Sequence, residues 1–290
     1  MNIQAISEVV SDLGEGPIWS ADTNSVTWTD ITQNTFHTAD IDTGKTLSFG
    51  VPSMVGAIAY SKDGSYIAAT QKGFARISVD GKYSPLHSFL PDDMRMNDGK
   101  VDPSGRFWAG SMALSFEKGR GSLYILEKDY SYHNVLNDIT LSNGMGWSPD
   151  AQYFYYIDSI PGVLKRFDYD SDKGHISNPK DLITFDTSYG IPDGMSVTSD
   201  GKIVIALWDG GQVEIYEPSG VKVSEIKLGV SRPTSCTFAG PNKDILVVSS
   251  ASQGIDRAVE PLAGKILAVT GTGLGGLPTQ QYGSDNHVFQ

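Results

Sequence analysis

The 290-residue sequence predicts an all-β chain folded as a six-bladed β-propeller, and three observations predict it. Amphipathic helical stretches are scarce, while short β-branched and aromatic runs bounded by Gly, Asp, Asn or Pro recur throughout, which is the pattern of strands and hairpins. Thirty-two glycines and fourteen prolines are spread evenly along the chain, as many short elements joined by tight turns require. A turn rich in Asp, Gly, Pro or Ser also returns at a nearly constant interval. Its second positions are Asp22, Asp63, Ser104, Asp150, Asp200 and Asn242, spaced 41, 41, 46, 50 and 42 residues apart. Six units of about 40–50 residues, each with about four strands, match the period of propeller blades.

The elements follow in order. The first unit carries the strand Ser25–Thr29 after its turn, and the second is marked by the turn Lys62-Asp63-Gly64. In the third, Gly105–Ala109, Gly121–Ile125 and Ser131–Val135 read as successive strands. The fourth contributes Tyr153–Ile157, and the fifth Lys202–Ala206, Gln212–Tyr216 and Lys222–Ile226. The sixth holds Asp244–Val248 and Gly264–Ala268 before a Gly-rich tail, so it lacks an outer strand of its own. Ile3–Val10 at the N-terminus is expected to supply it, closing a single propeller domain over residues 1–290.

Charge narrows the partners. With 22 basic and 34 acidic side chains the net charge is −12, and the pI is near 4.7. Neutralising phosphates needs a basic patch, so nucleic acid and anionic membrane surfaces are excluded as expected partners. The single cysteine, Cys236, cannot form an internal disulfide or a thiolate metal cluster, and reads as a small buried packing residue. No run of about 18 apolar residues exists, and Met1-Asn2-Ile3-Gln4 lacks the basic and apolar regions of a signal peptide. The expectation is a soluble, cytoplasmic monomer.

Seven residues before each turn anchor, where the first strand of each unit begins, stand Glu15, Gly56, Asn97, Asn143, Asp193 and Ser235. The innermost strands of a propeller line its channel, so these positions form a ring at one end. Two carboxylates facing each other destabilise one another without a neutralising cation. Hard oxygen donors suit Ca²⁺, Mg²⁺ or Mn²⁺, with Zn²⁺ and Fe²⁺ less favoured. Gly16, Gly144 and Gly194 follow three of the ring residues and let chain and ligand approach closely. One divalent cation at the channel mouth is the expected cofactor.

Four segments carry a family resemblance: Leu13-Gly-Glu-Gly-Pro-Ile-Trp19, the stretch from Arg95 to Arg106 that opens Arg95-Met-Asn-Asp-Gly, Leu141-Ser-Asn-Gly-Met-Gly-Trp147, and Ile191-Pro-Asp-Gly-Met195. They resemble, in the right order, the signature segments of the SMP-30/gluconolactonase/luciferin-regenerating family, across essentially the whole chain. The resemblance implies a divalent-metal-dependent lactonase acting on a sugar lactone. It implies Glu15, Asn143 and Asp193 as direct metal ligands, Arg95 and Asn97 as substrate contacts, and Asp193 as proton acceptor. One departure stands out. Some lactonases carry an acidic substrate contact just after the Gly-Ser/Thr-Met segment, but Gly110-Ser-Met-Ala-Leu-Ser115 has none, and Glu117 lies close but out of register.

Such a set can open an ester ring, because a cation polarises the carbonyl and a carboxylate within hydrogen-bond reach takes a proton from attacking water. Arg95 can hold hydroxyls or the developing carboxylate through its planar fork, unless it is spent in a surface ion pair with Asp92 or Asp93. Another ester or phosphotriester hydrolase, and a calcium-handling propeller without chemistry, remain alternatives on the same scaffold.

Other signals carry less. Gly271-Thr-Gly-Leu-Gly-Gly276 fits a dinucleotide pattern but leads into Pro278 with no helix. Asp168–Gly174 begins like an EF-hand but has Lys173 at the sixth position, and reads as a hairpin tip. The histidines His37, His87, His133, His175 and His287 form no close pair, and no Gly-x-Ser-x-Gly elbow occurs. Trp208, before Asp209-Gly-Gly211, is the one tryptophan expected to stack on a sugar. The loops Met112–Arg120 and Ser250–Leu262 are expected to rim the pocket.

Overall fold

The computed structural model describes residues 1–285, so His287 lies outside the described residues. Among the described residues twenty-four strands form six four-stranded sheets, and no helix occurs. The first strand, β1 (Asn2–Ala5), stands apart from the blade that follows it. Blade 1 is β2 (Gly14–Ser20), β3 (Ser25–Asp30), β4 (Thr35–Asp40) and β5 (Thr46–Gly50). Blade 2 is β6 (Val55–Tyr60), β7 (Tyr66–Thr70), β8 (Gly73–Ile77) and β9 (Tyr83–Ser88). Blade 3 is β10 (Met94–Val101), β11 (Phe107–Ala113), β12 (Gly121–Leu126) and β13 (Tyr132–Ile139). Blade 4 is β14 (Ser142–Trp147), β15 (Tyr153–Asp158), β16 (Val163–Asp170) and β17 (His175–Thr184). Blade 5 is β18 (Ile191–Val197), β19 (Ile203–Trp208), β20 (Gln212–Tyr216) and β21 (Lys222–Lys227). Blade 6 is β22 (Pro233–Ala239), β23 (Ile245–Ser250), β24 (Leu267–Thr270) and, as its outer strand, β1.

Burial grades outward across each sheet. β11 and β14 are buried along their whole length, whereas the outer strands β13 and β21 are mostly exposed. The described chain divides into two compact units: residues 1–49 with 185–279, and residues 50–184 with 280–285. The first holds blades 5, 6 and 1, with Val204, Phe238, Val248 and Leu267 in one core cluster and Trp19, Trp28, Val247 and Ile266 in another. The second holds blades 2, 3 and 4, with Phe74, Met96 and Phe107 in one cluster and Trp108, Trp147 and Phe154 in another. Cys236 is buried in the first unit, its Sγ 3.5 Å from the Val204 carbonyl. Among the described residues no helix is long and apolar enough to cross a membrane.

Some strand limits differ from the sequence expectation for local reasons. The expected start Gly264 has φ +77, and a Cβ there would stand 2.4 Å from the Ser11 carbonyl, so β24 begins only at Leu267. At the N-terminus the ladder runs from Asn2↔Thr270 to Ala5↔Leu267, shorter than Ile3–Val10. Gly105 is a left-handed hairpin residue (φ +82), which delays β11 to Phe107. The Gly-rich tail is also anchored. Gly276 donates to the Lys243 carbonyl at 2.8 Å, and Tyr282, 2% exposed, donates from its backbone to the Tyr60 carbonyl at 2.8 Å.

Within the second unit a buried ionic staple ties blade 3 to the outer hairpin of blade 4. Asp102 is fully buried and its Oδ2 accepts from Arg106 Nε (2.6 Å), Trp108 Nε1 (2.9 Å) and the Tyr169 hydroxyl (2.8 Å). Its Oδ1 takes the Ser104 and Arg106 amides, each at 2.9 Å. Arg106 reaches on to the Asp172 carbonyl at 3.3 Å, at the tip between β16 and β17. The Asp168–Gly174 segment is therefore a hairpin tip, held from below by an arginine.

Candidate active site

In every blade the second strand runs antiparallel to the first, so the loop after the second strand returns to the end where the first begins. At that end each of the six inner strands loses register once: between Glu15 and Ile18, Val55 and Ala57, Met96 and Gly99, Ser142 and Met145, Pro192 and Met195, and Pro233 and Ser235. A bulge twists the strand and re-aims the side chain it carries. All six bulges coincide with, or adjoin, the positions found seven residues before the turns.

The first unit contributes Glu15 and Asp193, both buried. One Glu15 carboxylate oxygen accepts from the Gly16 amide at 3.1 Å, and Gly16 has φ +52, a conformation that glycine adopts without strain. Asp30, at the end of β3, accepts from the Asp12 and Leu13 amides at 2.8 and 3.1 Å and so fixes the start of β2. Asp193 precedes Gly194, where a Cβ would stand 2.1 Å from Ser235 Oγ, so only glycine lets β18 lie this close to β22. Trp208 is covered on one face by the Arg232 guanidinium, 4.7 Å from the ring centroid, and Arg232 is itself bonded to Asp209 at 2.6 Å. That face is occupied by the arginine.

The second unit contributes Arg95, Asn97 and Asn143, all buried. Asp92 pairs with Lys72 and Asp93 with Arg120, so both acids that could have drawn Arg95 to the surface are taken by other bases. Arg95 instead donates to Asn97 Oδ1 (2.6 Å) and to the Met96 carbonyl (2.9 Å). Asn97 Nδ2 donates in turn to the Ser142 carbonyl at 2.7 Å, linking the arginine to the strand that carries Asn143. Asp158 at the end of β15 binds the Thr140 and Leu141 amides at 3.0 and 2.9 Å, repeating what Asp30 does in blade 1.

Asn143 donates from Nδ2 to Ser159 Oγ at 3.0 Å. This leaves its Oδ1 as a buried acceptor without a hydrogen-bond partner. Leaving such an atom unmatched costs free energy, and a carboxamide oxygen is a hard donor suited to a divalent cation. The donor set therefore fits a cation on chemistry. Among the described residues no group of three or more His, Cys, Asp or Glu is placed to hold a metal; an amide oxygen such as Asn143 Oδ1 falls outside those residue types.

One buried group escaped the sequence reading. Asp98 sits inside the β10 bulge, and its Oδ1 accepts from the Gly99 amide at 2.6 Å. Burial pushes its carboxyl pKa up, opposed by the Lys100 charge and the Gly99 hydrogen bond. The acid next to Asn97 was visible, but the two-residue bulge that buries it was not.

These features define a six-bladed β-propeller whose inner strands present buried oxygen donors at bulges. The chain belongs to the family described as SMP-30/Gluconolactonase/LRE-like, whose model matches residues 13–252. It is 35% identical to regucalcin of Gallus gallus over 278 residues, covering 92% of this chain and 93% of the relative. A luciferin-regenerating enzyme structure superposes with a TM-score of 0.90 at 28% identity, covering 97% of this chain and 99% of that one. The calcium-binding protein regucalcin from Agrobacterium tumefaciens superposes with a TM-score of 0.91 at 25% identity, covering 96% of each chain.

Proposed function

We propose that this chain is a divalent-cation-dependent lactonase that hydrolyses a sugar lactone to the sugar acid. Family membership supports a lactonase-like function. The observation that carries the finer reading is the partnerless buried Oδ1 of Asn143, whose place at the bulge of its inner strand matches that of the buried carboxylates Glu15 and Asp193 in their own blades. In this proposal Glu15, Asn143 and Asp193 hold one cation. A cation so held supplies Lewis-acid polarisation of the ester carbonyl and eases deprotonation of water. The chain's own groups do the rest. Asp193 accepts a proton from the attacking water. Arg95, its guanidinium set by Asn97 and the Met96 carbonyl, donates to substrate hydroxyls or to the carboxylate that forms. Asn97 acts on substrate chiefly by fixing Arg95, since its amide is engaged at both ends. The partner is a small molecule, and the proposal includes no nucleic acid, membrane or second subunit.

The test is acid release from glucono-, xylono- and galactono-lactones, with and without EDTA, across Ca²⁺, Mg²⁺, Mn²⁺, Zn²⁺ and Fe²⁺. At least one lactone is expected to open in a reaction abolished by EDTA and restored by a divalent cation. Hydrolysis indifferent to EDTA would remove the metal dependence. The calcium-binding description of the Agrobacterium protein favours a second reading, a binding propeller without chemistry. Cation binding with no acid release from any lactone would support it.

A further inference from the structure

The loop after β11 returns beside the arginine end of β10. Met112 is paired with Arg95 and bridges Leu141, two residues before Asn143, and the Leu114 amide donates to the Asp93 carbonyl at 2.9 Å. Beyond Met112 this loop shows apolar side chains to solvent: Leu114 is 42% and Phe116 53% exposed. Phe116 has φ +58, a costly conformation for a bulky residue, fixed by its amide on the Ala113 carbonyl at 2.9 Å. Ile160, 47% exposed, follows Ser159, whose hydroxyl holds the Asn143 amide. Three exposed apolar residues thus lie on loops whose backbones pair with, or directly follow partners of, the strands that carry Arg95, Asn97 and Asn143.

The acid that could have made this rim polar is engaged elsewhere. Glu117 lies 3.2 Å from Arg120, which also holds Asp93 at 2.6 Å, so the loop's carboxylate is tied to its own surface arginine. The first unit shows a like pattern at the starts of its inner strands. Tyr189, two residues before β18, and Val259, in the loop after β23, are each more than three-quarters exposed. Scattered exposed apolar residues are ordinary, but these stand where substrate recognition by loops is concentrated.

We infer that Leu114, Phe116 and Ile160 are specificity-determining residues, and that the preferred sugar lactone is a deoxy one, carrying an apolar substituent on its ring where others carry a hydroxyl. The inference rests on the lactonase reading and narrows its substrate class. Such a rim rewards an alkyl group by removing it from water and offers nothing to a fourth or fifth hydroxyl.

The experiment uses δ-lactones bearing hydrogen, methyl, propyl or pentyl at one ring carbon, assayed with the full chain and saturating divalent cation. kcat/KM is expected to rise about two- to fourfold per methylene over the first few carbons, as burial of each CH₂ allows. Phe116→Gly, which suits the left-handed backbone, and Leu114→Ser should each flatten that dependence. A flat series in the wild type, or an unchanged slope in both variants, would overturn the inference. Calorimetric binding of the matching lactams carries the same test without turnover. Lactam affinity that tightens with chain length, with no lactone hydrolysed, would sink the lactonase reading and leave the apolar rim standing. Affinity independent of chain length would sink the rim alone.

Discussion

Asp193→Ala is expected to lower lactone hydrolysis by about three orders of magnitude while leaving the fold intact. Loss of a positioned general base costs roughly 10²–10⁴ in rate, and this side chain is also proposed to hold the cation. The backbone around it is set by β18 pairing and by the close approach of Gly194 to Ser235, neither of which needs the carboxylate. The variant should therefore keep its thermal midpoint. Asp193→Asn separates the two roles, since an amide keeps an oxygen donor but cannot accept a proton at neutral pH. Turnover should fall much further than cation affinity in that variant. Initial rates at saturating cation decide the matter, and more than a tenth of wild-type activity in the alanine variant would remove Asp193 from the chemistry.

The second large effect is structural and lies away from the ring. Asp102→Ala removes the acceptor of five hydrogen bonds and leaves the largely buried Arg106 guanidinium without its carboxylate. Removing one partner of a buried pair costs about 3–5 kcal/mol. For a chain of this size that is a fall of roughly 10 °C in the thermal midpoint. Asp102→Asn should lose less, because an amide oxygen still accepts from Trp108 or Tyr169. A midpoint within 2 °C of wild type for Asp102→Ala, on the order of a surface substitution's effect, would show that the staple contributes little. Asp102 and Arg106 lie inside the same signature segment as Arg95 and Asn97, so one motif serves both the site and the packing of its neighbouring blade.

Much of this architecture was legible because a repeat repeats its turns. The six Asp-, Asn- and Ser-bearing hairpins mark the six inner strands, and the residues seven positions earlier, Glu15, Asn97, Asn143 and Asp193 among them, fall at the bulges of those strands. A bulge is different, because it depends on pairing between strands rather than on composition, so the register shift at each ring position was invisible. Asp98 was missed for that reason. The roles of Asp30 and Asp158 were missed as well, since each clamps a strand start 17–18 residues earlier in the chain. Tyr282 reads as part of a polar, Gly-rich tail, and only the fold shows that it enters the second unit's core. Trp208 has one ring face stacked by an arginine 24 residues downstream, a contact that sequence spacing does not reveal. Residue types alone leave Arg95 between a substrate contact and an ion pair with Asp92 or Asp93, and the commitment of those acids to Lys72 and Arg120 is a tertiary fact.

Glu15, Asn143 and Asp193 are proposed to hold one divalent cation, and titration calorimetry of the chelator-stripped chain measures that binding. Wild type is expected to bind one cation per chain. Glu15→Ala and Asn143→Ala, each folded by circular dichroism, should bind it at least tenfold more weakly, with the carboxylate variant losing more because it removes charge as well as a donor. Unchanged stoichiometry and affinity in both variants would contradict the account, and would place the cation, if one binds, away from the bulges of the inner strands.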